Sequence, residues 1–292
     1  MSHPVIRIGQ FSESPVLAVA RALGLHTRFG IEWETQRVQS SPGQFESLRS
    51  NEMDIAITSP DNVLLYATTA QNPLKEQLDV QFLRPIDRGL RLALYTSSDI
   101  ESVEDFTGST LGVDVMSSGF AILLLQMLAS LGVDHSTINF EAVGATPKRL
   151  DAMKDGSIHG SVLNAEAGVA AEQAGFRRWA TSTDVSDDYL GTVLVQMAGP
   201  VSEHTRAFLD MWEAATQAIL TSSTEELVGL LETQAPALAN ADYVAIIKSA
   251  EYGCLTGEVV SAEQLTVLAE IRRLSGAYTP SEADIVRLAS SN

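Results

Sequence analysis

Leu48-Arg49-Ser50-Asn51-Glu52-Met53-Asp54-Ile55-Ala56 and, further along the chain, Met153-Lys154-Asp155-Gly156-Ser157-Ile158-His159-Gly160-Ser161 share one layout. Each is a helix end, a tight turn and the start of a strand. The first strand runs out into Ser59-Pro60-Asp61 and the second into Asn164-Ala165-Glu166, so equivalent loops stand at equivalent sheet edges. One supersecondary plan is used twice.

Working outward, Val5-Ile6-Arg7-Ile8-Gly9 alternates as a strand does, and Pro15 opens an apolar-periodic helix through Leu25, punctuated by Gly24 and Gly30. Ile31 to Val38 reads as a second strand, Ser40-Ser41-Pro42-Gly43 as a turn and helix start, and Asp54 to Thr58 as a buried strand. A helix from Val63 to Ala70 follows. This β-α-β-α-β-α order implies a largely parallel sheet covered on both faces. A second unit begins near Leu90, with strands at Leu92–Tyr95, Leu111–Val115 and Asn139–Val143. Its helices span Ala121–Leu131 and Pro147–Gly156. Leu194–Ala198 is a last strand. Beyond it the pattern is helical, over about Glu203–Ser222, Glu225–Thr233, Ala241–Tyr252, Glu263–Leu274 and Ser281–Ala289, packing on the first lobe.

The 292 residues exceed what one compact core usually serves. The expectation is therefore an α/β protein of two lobes, the first built from residues 1–88 and 195–292 and the second, inserted, from residues 89–194. Chain crossings near residues 84–91 and 189–197 would make a hinge.

Acids outnumber bases 37 to 19, and a formal net charge of −18 excludes a polyanionic partner such as nucleic acid. A solvated acidic surface accounts for most of these dispersed charges. Cys254 stands alone, so neither an intramolecular disulfide nor a CxxC pair exists, and a core position suits it. Met1 to Arg7 lead almost directly into the first strand without a basic, apolar and cleavage-site succession, and no apolar run is long enough to span a membrane. The compartment is left open: extracytoplasmic if a leader precedes the natural chain, cytoplasmic if Met1 is the native start.

Chemistry-bearing motifs are few. His3, His26, His135, His159 and His204 share no local motif with a second metal ligand, so no metal is expected. GxSxG, Walker and GxGxxG patterns are absent, which removes the common hydrolase and nucleotide-binding readings and leaves no catalytic residue or cofactor to name.

The order of segments resembles the type II periplasmic-binding-protein fold, in particular the NMT1/THI5-like family of sulfonate, taurine and thiamine-precursor binding proteins. The likeness rests on Ile6-Arg7-Ile8-Gly9, on Leu23-Gly24-Leu25 with Phe29-Gly30-Ile31-Glu32, on Leu48 to Ile57, and on Ser102 to Gly108 preceding Thr110-Leu111-Gly112-Val113. It covers about residues 5–198. The resemblance implies a monomeric binding protein that serves an ABC transporter permease without spanning the membrane itself. His159 departs from it, standing where the family carries an acid. Asn164 to Gly168 departs too, replacing a Trp-Glu-Pro type segment. The cysteine-rich motif of the thiamine-precursor synthases is missing.

In open α/β sheets, ligands sit beyond the carboxyl ends of the strands. That rule selects Phe11, Ser12 and Glu13 after the first strand, Ser40 and Ser41 after the second, and Ser59, Asp61 and Asn62 after the third. From the second lobe it selects Met116, Ser117, Ser118, Gly119 and Phe120, with Asn164 and Glu166. Hydroxyls and free N–H groups at helix starts can hold an anion. Plain N-capping explains Ser59, Asp61 and Ser118 as well, and Phe11 and Phe120 suit a core as readily as a ligand wall. Arg84, Arg88 and Arg91 flank the first crossing, where Arg88 is the candidate clamp for an acidic ligand. Glu13, Asp61, Asp114 and Glu166 can face the cleft. The expectation is a solute-binding protein that closes on a small, anionic organic molecule, a sulfonate, carboxylate or heterocyclic precursor. A cytoplasmic decarboxylase, lyase or isomerase on the same fold is the alternative, and a ligand sensor the third reading.

Overall fold

A computed structural model describes residues 5–257 and 259–290; His3 lies outside them. The chain builds two five-stranded mixed sheets, each flanked by helices. The first holds β1 (Val5–Gln10), β2 (Glu32–Arg37), β3 (Ile55–Thr58), β4 (Val80–Asp87) and β10 (Thr192–Met197) in the order β2-β1-β3-β10-β4. The second holds β5 (Ala93–Thr96), β6 (Thr110–Val113), β7 (Asn139–Ala142), β8 (Gly160–Leu163) and β9 (Arg177–Thr181) in the order β7-β6-β8-β5-β9. Strands β1 to β3 are mutually parallel, as are β6 to β8. Each sheet then turns antiparallel, β10 against β3 and β4 and β5 against β8 and β9. Four strands of each sheet therefore run one way, which fits the expected largely parallel sheet, and only β10 in the first and β5 in the second run the other. The strands that follow each crossing enter their sheet from the opposite end.

The strand-to-helix connections follow from local chemistry. In β1, Ile6 and Ile8 are buried while Val5 and Arg7 face out, Arg7 pairing with Asp54 at 2.7 Å. The helices α1 (Pro15–Ala22), α3 (Ser41–Arg49), α4 (Pro60–Thr68), α5 (Gly119–Ser130), α6 (Thr146–Lys154) and α7 (Ala165–Gln173) each follow a strand of the parallel portion. The short α2 (Leu25–Phe29) is a separate helix because Gly24 adopts φ 65°, which breaks the expected run at Leu23. The repeated layout is visible in the backbone. Glu52 and Met53 donate to the carbonyl of Ser47 in one copy, and Ser157 and Ile158 to that of Ala152 in the other. The left-handed residue is Asn51 (φ 57°) in the first and Gly156 (φ 79°) in the second.

Three elements, β4, α7 and β9, were not anticipated. Arg84, Pro85 and Asp87 interrupt the apolar pattern of β4, yet every residue of that edge strand is buried, because the C-terminal helices cover it. These are α8 (Glu203–Thr221), α9 (Thr224–Gln234), α10 (Ala241–Ile247), α11 (Ala262–Leu274) and α12 (Glu282–Ala289). α8 and α9 pack on α1. α10 stops at Ile247, short of the expected Tyr252. The next residues instead pair with the first crossing: Arg88 N–H donates to the Gly253 carbonyl, Leu90 N–H to that of Tyr252, and Leu255 N–H to that of Ile86. α11 differs from the expectation as well, since it packs on both α4 and α5. Ser275 after it donates to the Ile122 carbonyl and accepts from Gln126, both on α5. Eight of the twelve residues of α5 are buried, as befits a mostly apolar helix packed between other elements.

The chain passes between the sheets at residues 88–92 and 182–191. Gly89, Leu90 and Arg91 all lie at positive φ (96°, 42° and 52°). For the two non-glycine residues this conformation costs roughly 1–2 kcal/mol each. Gly191 N–H donates to the Asp87 carbonyl, and a side chain on Gly191 would have no room beside Gly89.

Candidate functional site

Six helices begin at the carboxyl ends of the parallel strands, and the starts of five of them, α1, α4, α5, α6 and α7, surround a cavity of about 120 Å³ between the sheets. Ser14, Ser59, Ser118 and Asn164 cap four of them, their side-chain oxygens accepting from Leu17, Asp61, Ala121 and Ala167 N–H. Each of these caps also lines the cavity, so the capping and ligand-facing roles coexist.

The two sides are tied together. Asn164 Nδ2 donates to Ser12 Oγ at 2.8 Å, Gly119 N–H to Asn62 Oδ1 at 3.1 Å, and Ser41 N–H to Asp114 Oδ2 at 3.1 Å. Gly119 packs so closely that a Cβ there would stand 2.5 Å from Ser59 Oγ. The lobes are closed on the cavity.

Of the residues expected at the cleft, Phe11, Ser12, Glu13, Ser59 and Asn62 line the cavity from the first lobe. Ser118, Gly119, Phe120, Asn164 and Glu166 line it from the second. The others stand elsewhere, each for a visible reason. Asp61 points away from the cavity into a buried ion pair with Arg272, 2.6 Å away on α11. Ser40 caps α3, and Ser41 lies behind Asp114 as its hydrogen-bond donor. Met116 is 44% exposed and Ser117 half-buried on the outer side of the loop before α5. Arg88 does not reach the cavity, its backbone being held by Gly253. Its neighbours are engaged elsewhere, Arg84 with Glu213 at 2.5 Å and Arg91 with Glu172 at 3.2 Å, and neither lines the cavity.

Sequence reasoning missed Asp87, Arg149, Thr192 and Tyr243, all of which line the cavity. Arg149 lies on a polar helix beside Lys148 and reads as a surface residue, yet it is 2% exposed. Its guanidinium donates to Ser161 Oγ at 2.9 Å, to the Gly144 carbonyl at 2.5 Å, to Thr146 Oγ1 at 3.0 Å and to the Val162 carbonyl at 3.1 Å. Burial lowers its pKa to about 10, with the nearby Asp114 opposing. Asp87 spans the two crossings, accepting from Gly89 N–H at 2.8 Å and from the Thr192 hydroxyl. Burial nevertheless pushes it up to about 6. Burial likewise raises the Asp114 carboxyl against the donation from Ser41, and its Oδ1 has no partner among the described residues. Glu166 is raised by burial and by the charge of Glu13 across the cleft, while Arg37 opposes. Thr58 and Thr146 add hydroxyls, and Phe11, Ile57, Ile86, Leu90, Leu92 and Phe120 form apolar wall. Burial, reinforced by Asp87, pushes the Cys254 thiol up, so it stays protonated and is a poor nucleophile.

The description of the NMT1-like family matches residues 17–194, well over half of the chain. Among curated proteins none matches the sequence. Solved structures do match over almost the whole length. The alkanesulfonate-binding protein SsuA of Xanthomonas axonopodis pv. citri, bound to MOPS, is 14% identical, with a TM-score of 0.75 and coverage of 99% of this chain and 98% of that one. The periplasmic aliphatic sulphonate binding protein SsuA of Escherichia coli is 19% identical, with a TM-score of 0.71 and coverage of 98% and 92%. The periplasmic nitrate-binding protein NrtA of Synechocystis PCC 6803 is 12% identical, with a TM-score of 0.74 and coverage of 98% and 85%. At these identities the likeness establishes the fold, the two-lobed periplasmic-binding-protein architecture.

Proposed function

The chain belongs to the NMT1-like family, and on that premise we propose that it is a solute-binding protein that closes two lobes around a small organic molecule and hands it to an ABC-type import permease. Residues 1–88 and 195–292 form one lobe of this reading and residues 89–194 the other. The observation that carries it is the cavity at the carboxyl ends of both sheets, shut by hydrogen bonds that run from lobe to lobe. A volume of about 120 Å³ suits a solute rather than a polymer, since an engineered cavity of about 150 Å³ admits benzene. Closure of this kind needs only a hinge at two crossing segments and a ligand that contacts both sides. Its place is outside the cytoplasmic membrane, beside the permease. No helix of the described residues is long and apolar enough to cross a membrane.

The binding residues of this reading are those at the cavity, with Ser12, Asn62, Gly119 and Asn164 making the contacts that closure completes. The test is small-angle scattering of the protein alone and with a solute library. The expected result is a reduction in radius of gyration with the bound solute, reversed by dialysis. A protein that turns over the solute it binds would replace this reading with the enzymatic one.

A further inference from the structure

The helix starts around the cavity favour an anion, each contributing about half a positive charge, but the side chains run the other way. Four carboxyl groups line the wall, Glu13, Asp87, Asp114 and Glu166, against one cation, Arg149. That guanidinium is spent on Ser161, Gly144, Thr146 and Val162. Arg37 adds a second cation from the exposed rim, where it donates to the Phe11 carbonyl and favours the charged form of Glu166. The wall is still acidic by four to two. Asp87 is satisfied by Gly89 and Thr192. Glu166 itself occupies the first turn of α7 and offsets the positive end of that helix.

What is left over points to the ligand. Asp114, 7% exposed, keeps Oδ1 without a partner among the described residues. Glu13 and Glu166 come from opposite lobes, and they follow Ser12 and Asn164, whose side chains are hydrogen-bonded at 2.8 Å across the gap, so both residues line the same end of the cavity. Closing the lobes therefore drives two carboxylates together across a partly desolvated gap, which costs free energy unless a positive charge lies between them. Phe11 and Phe120 line the same space, and aromatic rings attract cations over their faces.

Building on the solute-binding reading, we propose that the cavity takes a small organic cation, a protonated amine on a compact apolar body of about six non-hydrogen atoms, bound between Glu13 and Glu166. The ammonium donates to the two carboxylates and the apolar part rests among Phe11, Ile57, Leu92 and Phe120. The cation completes the closed form by adding to Arg37, at the rim, a positive charge between the two carboxylates.

Calorimetric titration of the full chain at neutral pH and low ionic strength tests this, with piperidinium, n-butylammonium, butyrate, propane-1-sulfonate and 1-butanol as probes. The cations should bind at least tenfold tighter than the anions, and added salt should weaken them. In the doubly substituted Glu13→Gln, Glu166→Gln protein the cations should lose ten- to a hundredfold, with 1-butanol unchanged and the melting temperature preserved. Tighter binding of butyrate or propane-1-sulfonate than of the cations would overturn the inference and leave the solute-binding reading intact. Cation binding unaffected by the double substitution would also overturn it. If none of the five probes binds at millimolar concentration, both readings fall.

Discussion

Replacing Gly119 with alanine adds one methyl group at the closest approach of the two lobes. The backbone there is not left-handed, so alanine adopts it without strain and only space is at issue. The new Cβ would stand 2.5 Å from Ser59 Oγ and 2.8 Å from Asp61 Cβ, in a helix start that α11 holds rigid through the Asp61–Arg272 pair. Ordinary contact needs about 3.5 Å, so the lobes must part by about 1 Å. The bond from Gly119 N–H to Asn62 Oδ1, now 3.1 Å, would lengthen to about 4 Å and be lost. A lost hydrogen bond of about 1 kcal/mol and an overpacking cost of about 1–3 kcal/mol sum to about 2–4 kcal/mol. All of it falls on the closed form. Solute affinity should drop roughly 30- to 700-fold. The unliganded protein can relieve the clash by opening, so its melting temperature should stay within a degree or so of the wild type. Calorimetry with any solute that binds the wild type, together with a thermal melt, reads both quantities. Wild-type affinity in Gly119→Ala would refute the reasoning, because binding would then not require this approach of the lobes.

Three further outcomes follow from the same geometry. Asp87 titrates at about 6 in the folded chain against 3.8 for the free group, so the native state holds the extra proton between those values. Its contribution to stability is lost as pH rises from about 4 to 6, by roughly 3 kcal/mol at most, and is flat above. Asp87→Asn should remove that loss, so the variant's stability in urea relative to wild type should rise across this window; a constant difference would count against a shifted Asp87. Arg272→Met strands the buried Asp61 carboxylate and should cost about 3–5 kcal/mol, part of which Asp61→Asn in the same chain restores. Ser118→Ala removes both the cap on Ala121 N–H and a cavity hydroxyl. It should lower the stability of the unliganded protein by about 1 kcal/mol and shrink the ligand-induced shift in melting temperature as well.

Much of the architecture was readable because its signals are local. Ser59-Pro60, Ser118-Gly119 and Ser40-Ser41-Pro42 announce helix starts by side-chain capping and by proline's missing N–H, and apolar alternation marks β1. The paired helix-turn-strand layouts are legible for the same reason. Strand β4 was hidden because its charged and proline residues are buried by helices encoded more than a hundred positions later: Arg84 meets Glu213 of α8. Arg272 closes over Asp61 in the same way, from 211 residues away. Nothing around Asp61 signals that partner, so its acid reads as a cleft residue. Arg149 was missed because a buried arginine satisfied by carbonyls and hydroxyls has the same helical surroundings as an exposed one. The direction of β5 and β10 in their sheets depends on where the crossings enter, which no local pattern specifies.

The position of β10 between β3 and β4 has a consequence for synthesis. Until residues 192–197 leave the ribosome, β4 has no strand to pair with, and the first sheet consists of β1 to β3 alone. Every strand of the second sheet, by contrast, lies between residues 93 and 181 in one uninterrupted stretch. The half of the molecule that is begun second is therefore completed first. At translation rates of about 5–20 residues per second, β4 waits roughly 5–20 s for its neighbour. Through that interval its apolar residues, Val80, Phe82, Leu83 and Ile86, are available to chaperones rather than to their own sheet.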